Sequence, residues 1–233
     1  FSDFDKVILL AGLVGDPITK KYPNQSLDIN DYGIINLIKI MQKYEKHHII
    51  FISTCSNYGL IKDNIYANES HELNPLSLYA KSKVKIENYL KEKGNINYTI
   101  LRFATAFGLS DRMRFDLTLN EFTKDICLKK ILKIYDADTW RPYCHVHDFA
   151  RLIKIIIESS QDLVNKEIFN AGSSNNNFTK RDIVKSITKF IDNEKNIRFL
   201  EKGNDPRNYK VDFSKVKKVL NFDTIYSLDD GIA

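Results

Sequence analysis

The sequence predicts an α/β fold built on a parallel sheet, and three observations carry that prediction. Short apolar runs recur at Val7-Ile8-Leu9-Leu10, Ile49-Ile50-Phe51-Ile52, Tyr98-Thr99-Ile100-Leu101 and Glu167-Ile168-Phe169-Asn170. The first two are continuous rather than alternating, as strands covered on both faces are. Between the runs lie longer segments with helical spacing of apolar residues, and strand–helix alternation is the pattern of a parallel sheet.

Each element has its own signal. After the first strand, Leu27, Ile34, Ile35, Leu37, Ile38 and Met41 mark one helical face. The second strand ends in the polar pair Ser53-Thr54. Asn74-Pro75 reads as an N-cap with proline at the first helical position, opening a helix to about Lys93 that Gly94 would stop. Asp148 is placed to cap a helix through Ile157, and Thr179 one ending near Ile191. From about Leu109 the alternation becomes irregular. The chain therefore divides into a first α/β segment at 1–108, an added segment at 109–145, a return to the sheet at 146–172 and a second added segment at 173–233.

Composition narrows the function. The 233 residues, 43% hydrophobic and 28% charged, suit one large domain or two small ones. No apolar run reaches the roughly 18–20 residues of a membrane span. Thirty-five basic and 30 acidic residues leave a net charge of +5, and the two signs are interleaved. That is a solvated surface rather than a nucleic-acid-binding one, and it is compatible with a small anionic ligand. Cys55, Cys127 and Cys144 are widely spaced and form no CxxC pair, so neither a disulfide framework nor a zinc ribbon is expected, and a reduced cytoplasm is the default compartment. The opening Phe1 to Lys6 carries no signal-peptide pattern and no initiator methionine, which points to a native N-terminus further upstream.

The chemistry centres on tyrosine and lysine four residues apart, which share one helical face. A nearby ammonium favours a phenolate and can bring tyrosine into range as a general base. The spacing occurs at Tyr58/Lys62, Tyr79/Lys83 and Tyr89/Lys93. The first lies in a loop at Gly59, and the last sits at a helix end where the dipole opposes a phenolate. Tyr79/Lys83 falls in the first turns after Asn74-Pro75. In a parallel sheet, strand C-termini and helix N-termini share one ligand edge, which would bring Thr54, Tyr79 and Lys83 around one substrate oxygen.

Other features carry less. Gly12 and Gly15 follow the first strand, but position 18 is isoleucine and no carboxylate ends the second strand, so the dinucleotide fingerprint is not met. Two readings of Ala11-Gly12 fit equally, a thin backbone beside a flat ligand or a tight turn. His145 is expected to be structural and His147 a surface or helix-entry residue, with no metal expected between them. Cys55 suits a small buried filler, and Trp140 and Tyr143 would pack under Arg141.

Taken together, the segments VILLAG (7–12), Asn30 with Gly33, FISTCSNYG (51–59), YAKSK (79–83), LRFATAFG (101–108), RMRFDLTLNEF (112–122), WRPYCHVHDFAR (140–151), FNAGSSNNNFT (169–179) and DPRNYKVDFSK (205–215) resemble, in family order, the extended short-chain dehydrogenase/reductases that act as NAD-dependent epimerases and dehydratases of nucleotide sugars. The resemblance implies a Rossmann-type doubly wound sheet with a small C-terminal substrate-binding domain. It implies Thr54, Tyr79 and Lys83 as catalytic residues, with Tyr79 exchanging a proton with a sugar hydroxyl while hydride passes to NAD, Lys83 lowering the pKa of Tyr79 and binding the nicotinamide ribose, and Thr54 holding the developing carbonyl. Leu10, Ala11, Gly12, Asn30, Ser53 and Phe103, together with Tyr79 and Lys83, match cofactor-lining positions. Asn120 and Arg141 match those that hold the substrate diphosphate, with Arg207 added to them, in keeping with the fit of a guanidinium to phosphate. No metal, nucleic acid or membrane is implied, and family members pair as homodimers through two helices, here those containing Ile34 to Met41 and Tyr79 to Tyr89.

The chain departs from the family in two respects. The opening strand, the GxxGxxG turn and the next two strands have no counterpart, so about 60 residues, two βαβ units, are expected to precede these, and the 233 residues alone should bind NAD poorly. The 4,6-dehydratases carry Asp-Glu directly after the catalytic threonine, where this chain has Cys55-Ser56. Epimerisation or simple redox at the sugar is therefore expected over elimination of water. The rival expectations are a dehydratase or decarboxylase, and a non-catalytic dinucleotide-binding module.

Overall fold

Why the chain presents its polar residues at one edge follows from how its strands are ordered. The computed structural model describes residues 4–44, 47–62, 65–93, 95–192, 194–201, 203 and 207–233. Its first half runs β1 (Lys6–Leu9), α1 (Asp16–Lys21), α2 (Pro23–Ser26), a π-helical turn over Leu27–Gly33, α3 (Ile34–Met41), β2 (His48–Thr54), β3 (Tyr66–Ala67), α4 (Leu78–Glu92), β4 (Asn97–Phe103) and β5 (Thr105–Phe107). There follow α5 (Thr118–Cys127), β6 (Leu132–Tyr135), β7 (Trp140–His145), α6 (Val146–Glu158), α7 (Gln161–Val164) and β8 (Glu167–Ala171). The chain closes with β9 (Asn177–Thr179), α8 (Lys180–Thr188), β10 (Ile197–Leu200), β11 (Lys210–Val211), α9 (Ser214–Leu220) and α10 (Leu228–Ile232).

The main sheet has the order β1-β2-β4-β8 and is parallel throughout. All seven residues of β2 are buried, as its central position requires. Alternation along it divides the core in two. Ile49 and Phe51 join Ile34, Ile38 and Met41 of α3 and Ile86 and Leu90 of α4. Ile50 and Ile52 join Phe149, Leu152 and Ile156 of α6, together with Phe213, Val216 and Leu220 of the C-terminal region. Both faces are covered, as a doubly wound sheet demands. Among the described residues β1 pairs with β2 alone and forms one edge of the sheet.

A second core gathers Phe107, Leu119, Phe122, Ile126, Ile134, Tyr143, Ile183 and Ile187 from β5 and β7, from α5 and β6, and from α8. The region after residue 173 thus contributes to both cores: α8 and α10 to the second, and Tyr209 to Phe222 to the main one. Pairing of β11 with β3, with Ile61 N–H donating to Asn208 O at 2.8 Å, lashes the segment around Tyr209 beside the loop that leaves β2.

Several boundaries differ from expectation. α4 starts at Leu78, and its cap is Ser77, whose Oγ accepts from Ala80 N–H. Asn74-Pro75 instead runs ahead of the helix, with the Asn74 carbonyl so close to Gly59 that a side chain there would collide with it. The α6 cap is His145, whose Nδ1 accepts from His147 N–H at 3.2 Å. Asp148 lies inside the first turn, buried, where it takes the N–H groups of Ile225 and Tyr226 and pairs with Arg151. Its carboxylate anchors the C-terminal segment rather than the helix end. Thr179 caps α8 as expected, in a reciprocal arrangement with Asp182, although the helix ends at Thr188. Gly94 lies outside the described residues. No helix among the described residues is long and apolar enough to cross a membrane.

Candidate active site

The C-terminal edge of the main sheet collects polar side chains because alternation sends successive residues of β2 to opposite sides. Ser53 turns toward α4, where its hydroxyl donates to Glu87 Oε1 at 2.5 Å. Thr54 turns the other way, and its Oγ1 accepts from Ser56 N–H at 3.1 Å. Ser56 Oγ in turn meets the Tyr209 hydroxyl at 3.2 Å. The Arg141 guanidinium lies over the Tyr209 ring at 4.9 Å and donates to the carbonyls of Trp140 and Arg207. Arg207 pairs with Asp16 Oδ2 at 2.5 Å. One continuous polar path therefore runs Thr54, Ser56, Tyr209, Arg141, Arg207, Asp16. Arg141 packs on Tyr209, a ring the sequence did not single out. Trp140 carries Lys210 over its ring at 4.1 Å, and Tyr143 sits in the second core.

Tyr79 and Lys83 reach this edge from α4. The Lys83 ammonium is buried, donates to Ile52 O at 2.7 Å, and lies 4.8 Å from the Phe51 ring centre and 5.8 Å from that of Tyr79. Burial pulls its pKa down to about 8, with the Glu87 charge opposing the shift. Tyr79 is half-buried. Burial raises its pKa, Arg114 opposes the rise, and Asp16 and Tyr209 add to it. Lys83, held at the Ile52 carbonyl, is not among the groups that shift it. Arg114 and Asp16 are the charged side chains that act on the Tyr79 hydroxyl here, in opposite directions.

The cofactor-lining candidates fall into two sets. Leu10, Ala11 and Gly12 are exposed past the end of β1. Gly12 has φ +148°, and a Cβ there would stand 2.8 Å from Asn30 Oδ1. Asn30 is buried and clamps the loop from both sides, Oδ1 accepting from Leu13 N–H at 2.8 Å and Nδ2 donating to Leu13 O at 2.9 Å. It holds the glycine turn in shape. Phe103, opposite Thr54 in the sheet register, stacks its ring on Phe149 at 3.8 Å, facing α6.

Asn120 lies apart, on α5, and donates to Arg114 O at 3.1 Å. It lines an open cavity of about 270 Å³ with Met113, Phe115, Thr123 and Lys124. Cys55 is buried with its thiol donating to Arg102 O at 3.1 Å, and burial raises its pKa well above the ordinary thiol value. His145 and His147 do not share a strand. Their rings meet edge to face at 4.9 Å, and His145 stacks on Tyr226. Tyr58, first of the three Tyr/Lys pairs, is fully buried and donates to Asn170 Oδ1 at 2.7 Å. Among the described residues no group of three or more histidine, cysteine or carboxylate side chains is placed to hold a metal ion.

Sequence reasoning missed Asp16, Arg114, Tyr209 and Glu87. Only Glu87 left a legible signal, since it stands four residues beyond Lys83 on the same helical face. The others arrive from segments distant in sequence.

Parallel strands in the order β1-β2-β4-β8, helices on both faces and polar residues at the strand C-termini define a Rossmann-type dinucleotide-binding fold. A family model described as the NAD dependent epimerase/dehydratase family matches residues 1–172, and the chain belongs to that family. It is 26% identical over 236 residues to an uncharacterized UDP-glucose epimerase of Bacillus subtilis, covering 98% of this chain and 72% of the relative. Among solved structures it is similar to the UDP-glucose 4-epimerase of Thermotoga maritima bound to UDP-glucose, with a TM-score of 0.86, 24% identity, and coverage of 98% of this chain and 74% of the other. The UDP-glucuronic acid 4-epimerase of Bacillus cereus in complex with UDP-glucuronic acid and NAD gives a TM-score of 0.86 at 24% identity, covering 99% and 74%. At that identity the likeness of structures establishes the fold.

Proposed function

We propose that this chain carries the reaction centre of an NAD-dependent nucleotide-sugar epimerase, or a closely related sugar oxidoreductase, with Tyr79 as acid/base. One observation carries the reading. A buried lysine ammonium, fixed by the Ile52 carbonyl, lies beside the Tyr79 ring at the strand edge where Thr54 ends β2.

The residues present suit the cofactor. Leu10 leaves an apolar side chain exposed at the end of β1, and Gly12 keeps the adjoining backbone bare where a side chain would collide with Asn30. NAD, when bound, supplies the hydride acceptor and a positive charge that favours the Tyr79 phenolate. Leu10, Ala11 and Gly12 would line it, Asn30 would keep that turn in shape, and the backbone of Ser53 and Phe103 would border it. Lys83 would hold the nicotinamide ribose. Burial outweighs Arg114 and favours the protonated Tyr79, the form that would return a proton to a sugar oxygen; its phenolate form would take the proton of the sugar hydroxyl. Thr54 would orient the same oxygen. Arg141, Arg207 and Asn120 would hold the substrate diphosphate, with the cavity beside Asn120 taking the nucleoside. Residues 109–145, together with α8 and α10, would form the substrate lobe.

The pair after Thr54 favours epimerisation over elimination. The Cys55 thiol is buried and held protonated, and Ser56 is engaged by Tyr209, so neither offers the carboxylate that water loss needs. A homodimer would pair the α3/α4 face, where Ile35, Val84 and Tyr89 line an open groove. The test uses the intact protein, as its gene encodes it, with UDP- and dTDP-hexoses. An epimer pair should interconvert, and Tyr79→Phe should lower kcat by about 10²–10⁴. Activity near that of the wild type in Tyr79→Phe overturns the mechanism, and loss of water or CO₂ from the product overturns the epimerase reading.

A further inference from the structure

We infer that Tyr209 is a positioning residue, a single buried side chain that sets the diphosphate-holding Arg141 against the Thr54 hydroxyl; the inference rests on the epimerase reading above.

Tyr209 is only 2% exposed, and its place is fixed by main-chain bonds on two sides. Its own N–H donates to Trp140 O of β7 at 3.2 Å. The next two residues form β11, which pairs with β3, and Asn208 O before it accepts from Ile61 N–H. The ring is thereby wedged between β7, which carries Arg141, and the turn that leaves β2, which follows Thr54.

The two ends of the side chain meet different groups. On the ring face lies the Arg141 guanidinium, 4.9 Å from the ring, and Arg141 Nη1 donates to the carbonyls of Trp140 and Arg207. A planar guanidinium stacks on an aromatic face, and its orientation decides whether it can grip a phosphate with two bonds. The ring and the two carbonyls together set that orientation.

At the other end, the Tyr209 hydroxyl meets Ser56 Oγ at 3.2 Å, and Ser56 N–H donates to Thr54 Oγ1 at 3.1 Å. Holding Ser56 holds that N–H, and with it the direction in which the Thr54 hydroxyl can offer its proton to a sugar oxygen. Burial raises the Tyr209 pKa against the opposing charges of Arg141 and Arg207, so the hydroxyl stays protonated near neutral pH. A ring that merely filled the core would need no hydroxyl. A tyrosine has two rotatable bonds, so its face and its hydroxyl move as one body, and the anchored diphosphate and the reacting oxygen are kept in register.

The test measures kcat of the intact protein with the UDP- or dTDP-hexose that it turns over, and by calorimetry the affinity of its NAD-loaded form for the matching nucleoside diphosphate. Tyr209→Phe keeps the ring face and removes the bond to Ser56. It should lower kcat about 3- to 10-fold and leave the diphosphate affinity within about twofold. Ser56→Ala should do the same, and the two together should lose no more than either alone. Tyr209→Leu removes the face and should weaken UDP or dTDP about 3- to 30-fold. In an Arg141→Gln background the same change should weaken it no further. An unchanged kcat in Tyr209→Phe overturns the inference, as does a double variant with Ser56→Ala whose loss is the product of the two single losses. So does a Tyr209→Leu loss of affinity that persists undiminished without Arg141, the mark of a ring needed only for folding. Should Tyr209→Leu not fold, the cycle between Tyr209→Phe and Ser56→Ala decides by itself. A wild type that turns over no such sugar and binds neither nucleoside diphosphate overturns the epimerase reading instead.

Discussion

Two ion-pair systems flank α4, and they differ in what surrounds them rather than in residue type. Beneath the helix, Glu87 and Arg102 pair at 2.7 Å with side chains 0% and 1% exposed. Every neighbour adds a bond. Ser53 and Asn57 donate to Glu87 Oε1, Arg102 Nη1 donates to the Tyr58 hydroxyl at 3.0 Å, and Asn170 continues the network to the carbonyls of Ala67 and Asp212. Above the helix, Arg114–Asp116 and Arg207–Asp16 stand partly in solvent, and one carboxylate oxygen is left over. The deep system is closed to solvent and ties α4 to the sheet, although Asn57 Oδ1 within it has no hydrogen-bond partner among the described residues. The rim system is open, so its bonds can be exchanged for bonds to a ligand.

The sharpest way to break this comparison is to remove one deep partner. Glu87→Gln leaves the Arg102 charge buried without its counter-ion, which costs about 3–5 kcal/mol. Urea unfolding should show a loss of that size, and Arg102→Met combined with Glu87→Leu should recover part of it. A loss under about 1 kcal/mol would mean that the deep pair behaves like a surface one.

Lys83 sits between the two systems and should separate function from stability. Its folded pKa of about 8 lies below the ordinary 10.5, so folding carries the cost of a buried charge at neutral pH. That cost is about 3 kcal/mol below pH 8 and fades as pH rises from 8 toward 10.5, where the lysine is neutral in both states. Lys83→Met should therefore abolish turnover yet unfold at no lower urea concentration at pH 7. The wild type should gain stability relative to the variant between pH 8 and 10.5. A variant that is equally active, or whose stability tracks that of the wild type across that range, contradicts the assignment.

How far the sequence carried the argument divides along the same line. The strands at Ile49 to Ile52 and Tyr98 to Leu101 were legible because a buried parallel strand needs a continuous apolar run. Tyr79/Lys83 was legible because helical spacing is local. The start of α4 was misread because Asn74-Pro75 imitates a cap, whereas Ser77 Oγ takes the Ala80 N–H and Asn74 instead crosses Gly59. Asp148 was misread for a related reason. It is an acidic residue at a helix start, but its partners are the N–H groups of Ile225 and Tyr226, far along the chain. Asp16, Arg114 and Tyr209 gave no signal, because what gives them a role is the pairing of β11 with β3 and the turn at Gly15. Such contacts between remote segments leave no periodicity to read.

The rim pair provides the smallest effect on stability and the finest test of the comparison. Arg114 and Asp116 have side chains 32% and 46% exposed, so breaking the pair should cost no more than about 1 kcal/mol. Its effect should fall on Tyr79 instead. Arg114 opposes the rise in the phenol pKa that burial imposes, and Asp116 partly neutralises Arg114. Arg114→Gln removes that opposition, so the limb of the kcat profile that reports Tyr79 deprotonation should move to higher pH. Asp116→Asn leaves the guanidinium without its counter-charge and should move the same limb to lower pH. Asp16 and Tyr209, the other groups acting on the phenol, and Lys83 beneath it are untouched in both variants. Removing either member of a purely structural pair would lower activity without displacing the limb. Opposite displacements from two substitutions of similarly small thermodynamic cost would show that the open pair tunes the reacting group while the closed pair holds it in place.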